Sequence, residues 1–246
     1  MLRNDTTHRK PLKFVGGDPG LDLINTADWT ARGIENERLR DYADLVRWAL
    51  AAGVIDAARA GRLRAKAAAH PAEARAALRE AQSAREVLRR LFGDLARGDL
   101  ARGAEDTSVW EEFEKLVTDA LRRLRLTPAW QGGAAARWAW REEDRLESPL
   151  WPVIRSAATL LASDEAGQVR LCSGHDCGWV FVDRSRNGLR RWCEMRSCGT
   201  TEKSNRRRVR TVRRGARGDA HPDRRRARTG RRRVRAGRGG ASTISS

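Results

Sequence analysis

The chain has four cysteines, Cys172, Cys177, Cys193 and Cys198, and they fall in one short stretch as two C-x4-C pairs fifteen residues apart. This spacing constrains the fold more than any other feature. Each pair offers adjacent ligands, and the spacer lets the second pair close a tetrahedral four-sulfur site around one metal ion. Zinc and iron–sulfur clusters both accept four thiolates. The paired spacing and the basic residues nearby favour a single structural Zn2+, with Arg190 and Arg191 helping to offset the excess negative charge of four thiolates. Four protein ligands leave no open position for water, so a catalytic zinc is not expected. His175, between the first two cysteines, reads as a bystander.

The residues between the cysteines suggest how the pairs meet. "QVRLC" reads as a strand, "SGHD" as the turn inside the first pair, and "CGWVFVD" as a returning strand with Trp179 and Phe181 on one face. "DRSRN" is turn chemistry, and "LRRWCEMRSC" reads as a helix that brings the second pair beneath the hairpin. The expected product is a zinc-ribbon or treble-clef-like finger of hairpin plus helix. Such a segment is too polar to build its own core, so the metal stands in for one.

Charge sets the partner class. The net charge of +18 lies entirely after Asp183: residues 184–246 hold 22 Lys and Arg against four Asp and Glu, while the residues before them balance at 28 each. A neutral body with a cationic C-terminal quarter fits a polyanion, and nucleic acid is the commonest one.

Upstream of the cysteines the chain reads as mainly helical. "KFVGGDPGLDLINT" is a short apolar entry and a tight Gly-Gly, Pro-Gly turn into a helix or strand. It lacks the GKS/T and G-x-G-x-x-G spacings of phosphate loops. From Asn36, Leu39, Tyr42, Leu45, Val46 and Trp48 follow the helical period, with Gly53 ending the helix. Asp56 caps a second helix that His70-Pro71 ends. A long helix runs from about Ala72 to Ala96, and Ser108 with Glu111 forms a capping box for another. Two alternating segments around Gly132-Gly133 predict a β-hairpin, with Trp138 and Trp140 on one face as core candidates. Ser148-Pro149 opens the helix of "LWPVIRSAATLLAS". The fold class is therefore mainly α with small β-hairpins: a helical domain over 12–165, a finger over 168–212 and a basic tail over 213–246.

Several functions lack support. "MLRNDTTHRKPLKF" has no apolar run after its basic residues, and no segment is long and apolar enough for a bilayer. A cytoplasmic protein with no membrane partner is expected, where thiols stay reduced. Asp22, Asn25 and Asp28 near the glycine turn offer acid or base groups, yet no histidine or nucleophile accompanies them. No enzyme is predicted.

"LCSGHDCGWVFVDRSRNGLRRWCEMRSCG" is similar to the CGNR zinc finger, and "FVGGDPGLDLINT", "RDYADLVRWALAAGVID" and "SPLWPVIRSAATLLAS" resemble the ABATE domain that precedes it in a bacterial family of stress-induced transcription regulators. The resemblance covers about residues 12–205. It implies Cys172, Cys177, Cys193 and Cys198 as zinc ligands, Arg190, Arg191 and Lys203 as basic residues of a DNA-binding finger, and no catalysis. Thr200 and Thr201 stand where the family has Asn and Arg. Arg206, Arg207, Arg208 and Arg210 continue the basic run and could replace the missing charge.

These residues lead to a zinc-containing DNA-binding regulator whose helical domain senses a small effector or mediates dimerisation, although no heptad seam marks a dimer. RNA or ribosome binding is the alternative partner. The tail after about Arg214 has no apolar period; it is either a nucleic-acid arm or the product of a shifted reading frame.

Overall fold

The computed structural model describes residues 10–30, 32–99, 107–129 and 135–205. Two compact units divide the chain at Lys203, and the second, Ser204–Ser246, is described only at its first two residues.

Helix α1 (Pro19–Ile24) starts where the side chain of Asp18 accepts the amide of Gly20 at 2.7 Å and Pro19 presets the first helical φ. It is six residues long and almost wholly buried, packed between α4 (Pro71–Arg97) and α6 (Leu150–Leu161). The approach to α6 is close enough that a Cβ at Gly20 would lie 2.8 Å from that of Ala157. Helices α2 (Tyr42–Ala51) and α3 (Ala57–Ala69) begin at side-chain caps from Asp41 and Asp56, and α4 ends at Gly98 in the left-handed conformation, φ 75°. Leu21, Leu23, Ile24, Leu45, Trp48, Leu88, Leu91, Phe92 and Ile154 make the centre of the core.

Three antiparallel hairpins complete the described residues: β1 (Ala27–Thr30) with β2 (Gly33–Glu37), β3 (Leu124–Pro128) with β4 (Ala136–Trp140), and β5 (Val169–Leu171) with β6 (Val180–Val182). Helix α5 (Ser108–Leu121) leads into β3. The mainly helical class with small hairpins therefore describes the protein.

Local boundaries differ from expectation for identifiable reasons. Asn36 belongs to β2, and the helix carrying Tyr42 starts only after Asp41. Thr107, not Ser108, is the first residue of the α5 cap. Ser148 does not cap α6, because its hydroxyl donates to the carbonyl of Glu143 at 2.6 Å. Of the two hairpin tryptophans, Trp140 stacks on Trp151 at 6.1 Å between centroids, while Trp138 is 56 % exposed beside Arg155 and is not a core residue.

Asp22 sits in the buried face of α1, where burial pushes its carboxyl up to about 6 even though it accepts the amide of Gly16 at 2.8 Å. The fold favours the neutral acid, so this stabilising contribution is complete below the ordinary value of 3.8 and is lost as pH rises through about 6. A carboxyl-carbon NMR titration should place the Asp22 midpoint near 6; a midpoint at 3.8 would mean the site is hydrated.

Candidate metal centre

The sulfur ligand atoms of Cys172, Cys177, Cys193 and Cys198 all lie within 4.8 Å of one another. Between Cys177 and Cys193 the sulfurs are 3.9 Å apart, and between Cys193 and Cys198 they are 3.6 Å apart. A tetrahedron with zinc–sulfur bonds of about 2.3 Å has edges of about 3.8 Å, so these separations fit one zinc ion. The sulfurs are also close enough to perturb one another. The Cys172 thiol is held far below the ordinary thiol range by hydrogen bonds from the Cys177 and Cys193 sulfurs and from the amides of Cys193 (3.2 Å) and Gly174 (3.4 Å). Cys177 and Cys193 are pushed up in turn, chiefly by the Cys172 sulfur beside them. A metal ion at the centre would let all four sulfurs bind as thiolates. The protein therefore carries one structural zinc, and among the described residues these four cysteines are the group that could hold it.

Local structure explains how the pairs converge. After β5 the amide of Cys172 donates to Trp179 at 2.9 Å and that of Cys177 to Gly174 at 3.2 Å, closing the first knuckle. A side chain at position 174 would press on the second pair, since a Cβ there would lie 3.1 Å from both Cβ and Sγ of Cys198. The second pair does not arrive on the expected helix over "LRRWCEMRSC". Backbone groups of that stretch are diverted: Arg190 N–H goes to Asp183 at 2.9 Å, Arg191 C=O receives Ser173 N–H at 2.8 Å, and Cys193 N–H goes to Cys172 Sγ. Only at Met195–Gly199 does a π-helical turn begin, and it carries Cys198.

The finger is built onto the helical body. Strand β6 is buried on both faces. Val180 and Val182 enter the helical core, while Phe181 and the preceding Trp179 pack with Cys172 and Cys193. The open edge of β6 is covered by residues 16–29. Asn25, 1 % exposed, donates to Val180 C=O at 2.9 Å and accepts Val180 N–H at 3.0 Å, so its amide stands where a third strand would. Trp179 Nε1 donates to Ala27 at 2.9 Å, Gly178 N–H to Trp29 at 3.1 Å and Val182 N–H to Gly16 at 2.8 Å. Lys13 pairs with Glu194, and Arg38, paired with Asp28 at 2.8 Å, lies over the Trp179 ring.

The residues singled out from sequence now divide. The four cysteines come together. Arg190 does not face outward as expected: its guanidinium donates to Val15 C=O at 2.9 Å, Cys193 C=O at 2.5 Å and Trp192 C=O at 3.1 Å, and lies 4.0 Å from the Phe181 ring centroid. With these donors spent on backbone carbonyls it staples the finger to the lead-in of the body. Arg191 and Lys203 are exposed. Arg206, Arg207, Arg208 and Arg210 lie outside the described residues. His175 is exposed and no part of the sulfur cluster. Asp22 and Asn25 serve the packing described above, and Asp28 pairs with Arg38 and Lys10. The docking role of Asn25 had one signal in the sequence, an amide inside the apolar run "LDLINT"; that of Trp29 had none.

A family model described as "Putative stress-induced transcription regulator", ABATE, matches residues 17–164, more than half of the chain. A second, the CGNR zinc finger, matches residues 168–211. No curated protein matches the chain.

Two outcomes test this site. Asn25→Ala leaves two buried backbone groups of Val180 unmet, at about 1–3 kcal/mol each, so the zinc-loaded variant should lose about 2–6 kcal/mol in urea unfolding. Chelation should expose the peptide bonds after Arg190 and Arg196 to trypsin while the helical circular dichroism signal persists, and metal analysis should give one zinc per chain. An unchanged cleavage pattern in chelator would refute the zinc's structural role.

Proposed function

The chain belongs to the ABATE family and carries a CGNR zinc finger, and from that premise we propose that it is a DNA-binding transcription regulator. In this reading Cys172, Cys177, Cys193 and Cys198 hold the zinc, and the finger over 168–212 contacts DNA through Arg191 and Lys203. Arg206, Arg207, Arg208 and Arg210 extend that contact. The helical domain over 12–165 responds to a small effector or joins two copies. The protein works in the cytoplasm and catalyses no reaction.

One observation carries the reading: the finger holds exposed cations without carboxylate partners. Arg190 is taken up by backbone carbonyls and Arg184 by Glu165. Arg186, Arg191 and Lys203 are exposed and make no ion pair among the described residues. A rigid module presenting unneutralised cations suits phosphates. No helix among the described residues is long and apolar enough to cross a membrane.

The deciding experiment is selection of fragments from sheared genomic DNA by the zinc-loaded full chain at near-physiological salt. Enrichment of a few sites is expected. Uniform, salt-sensitive recovery would reject sequence-specific regulation, and stronger retention of structured RNA at equal salt would transfer the finger to RNA. Arg191→Ala with Lys203→Ala should weaken binding and flatten the log–log salt slope by about 0.9 for each phosphate no longer neutralised, with the melting temperature unchanged. Arg190→Ala should instead lower the melting temperature.

A further inference from the structure

Leu189 is 74 % exposed, the largest exposure among the exposed large apolar side chains of the described residues. It is not on a loose loop. Asp183 accepts the amide of Ser185 at 2.9 Å, its hydroxyl at 2.6 Å and the amide of Arg190 at 2.9 Å. Gly188 N–H closes the turn on Ser185 C=O at 3.1 Å with Gly188 at φ 61°, and Leu189 N–H donates to Ser185 Oγ at 3.2 Å. The buried carboxylate thus fixes the whole tip, and the fold holds a leucine in water at its end. Arg186 and Arg191 stand on either side of it in sequence, both exposed. The nearby carboxylates are already occupied: Asp183 inside the turn, Glu165 by Arg184, and Glu194 by Lys13 and Ser197. The tip therefore offers an apolar point flanked in sequence by exposed cations that make no ion pair among the described residues.

We propose that the Asp183–Arg190 turn enters the minor groove of duplex DNA, with Leu189 as a wedge between two base pairs and Arg186 and Arg191 on the flanking phosphates. The inference rests on the DNA-binding reading above and names its point of contact. Apolar wedges of this kind partly unstack a base step and kink the duplex, and cations beside them hold the backbone as it bends. The wedge acts at the easily unstacked pyrimidine–purine steps, which gives it a preference without a hydrogen bond to any base.

The test uses the zinc-loaded full chain and a DNA duplex with a central TpA step beside 2-aminopurine and a dye pair at its ends. Wild type should brighten the 2-aminopurine and shorten the end-to-end distance. Leu189→Ala, at an exposed position, should still bind but lose both signals, and Leu189→Met should restore them. Arg186→Ala with Arg191→Ala should reduce the salt slope by about 1.8. The readout sits at the step itself, so phosphate contacts elsewhere on the chain cannot imitate it. Tight duplex binding by wild type with no unstacking, or unstacking equal in Leu189→Ala, overturns the wedge alone. Failure of wild type to bind duplex, or preference for an RNA hairpin at equal salt, overturns the DNA reading and the wedge with it.

Discussion

Strand β6 has no side that faces water, and the rest of the molecule is arranged around that constraint. Its three residues alternate between two interiors, valines toward the helices and Phe181 toward the sulfurs. A strand with both faces spent still has an edge, and an uncovered edge leaves amides and carbonyls without partners. The body supplies them from two kinds of group: the side chain of Asn25, and the backbone carbonyls of Gly16 and, just before the strand, Trp29. The burial of α1 follows from the same need, because Asn25 directly follows it and is placed by it.

Much of this was legible from residue order. The Pro19-Gly20 turn, Gly53 and Asp56 punctuate the helices by local chemistry, and local chemistry does not depend on what lies across the core. The cysteine spacing implied the sulfur cluster for the same reason. What stayed hidden depends on distant partners. Arg190 reads as one more cation in a cationic run; only the arrival of Val15 and Cys193 turns it into a staple. The β1–β2 hairpin went unread because "ADWTARGIENE" has little alternation of its own. Its Trp29 is held between Arg85 at 5.5 Å and Arg89 at 4.8 Å on α4. The helix expected over Leu189–Cys198 fails as far as Glu194 because the first knuckle takes backbone groups that a helix would need.

Arginine serves two purposes here, and packing separates them. Arg85 is buried with a two-pronged grip on Glu37 and a bond to Thr26 at 2.9 Å, while Arg184 spans Glu165 and Gly17. These guanidiniums do the work of backbone linkers, for which their fixed fork suits them. A count of basic residues therefore overstates what the finger can offer a polyanion.

The lead-in before α1 is tied at four successive points to residues far along the chain: Lys13 to Glu194, Val15 to Arg190, Gly16 to Val182 and Gly17 to Arg184. During synthesis this segment leaves the ribosome early, and these partners follow only when residues 182–194 are made. The first residues of the fold are thus among the last to be fixed, and their closure cost in chain entropy is met only once the metal has gathered the far end.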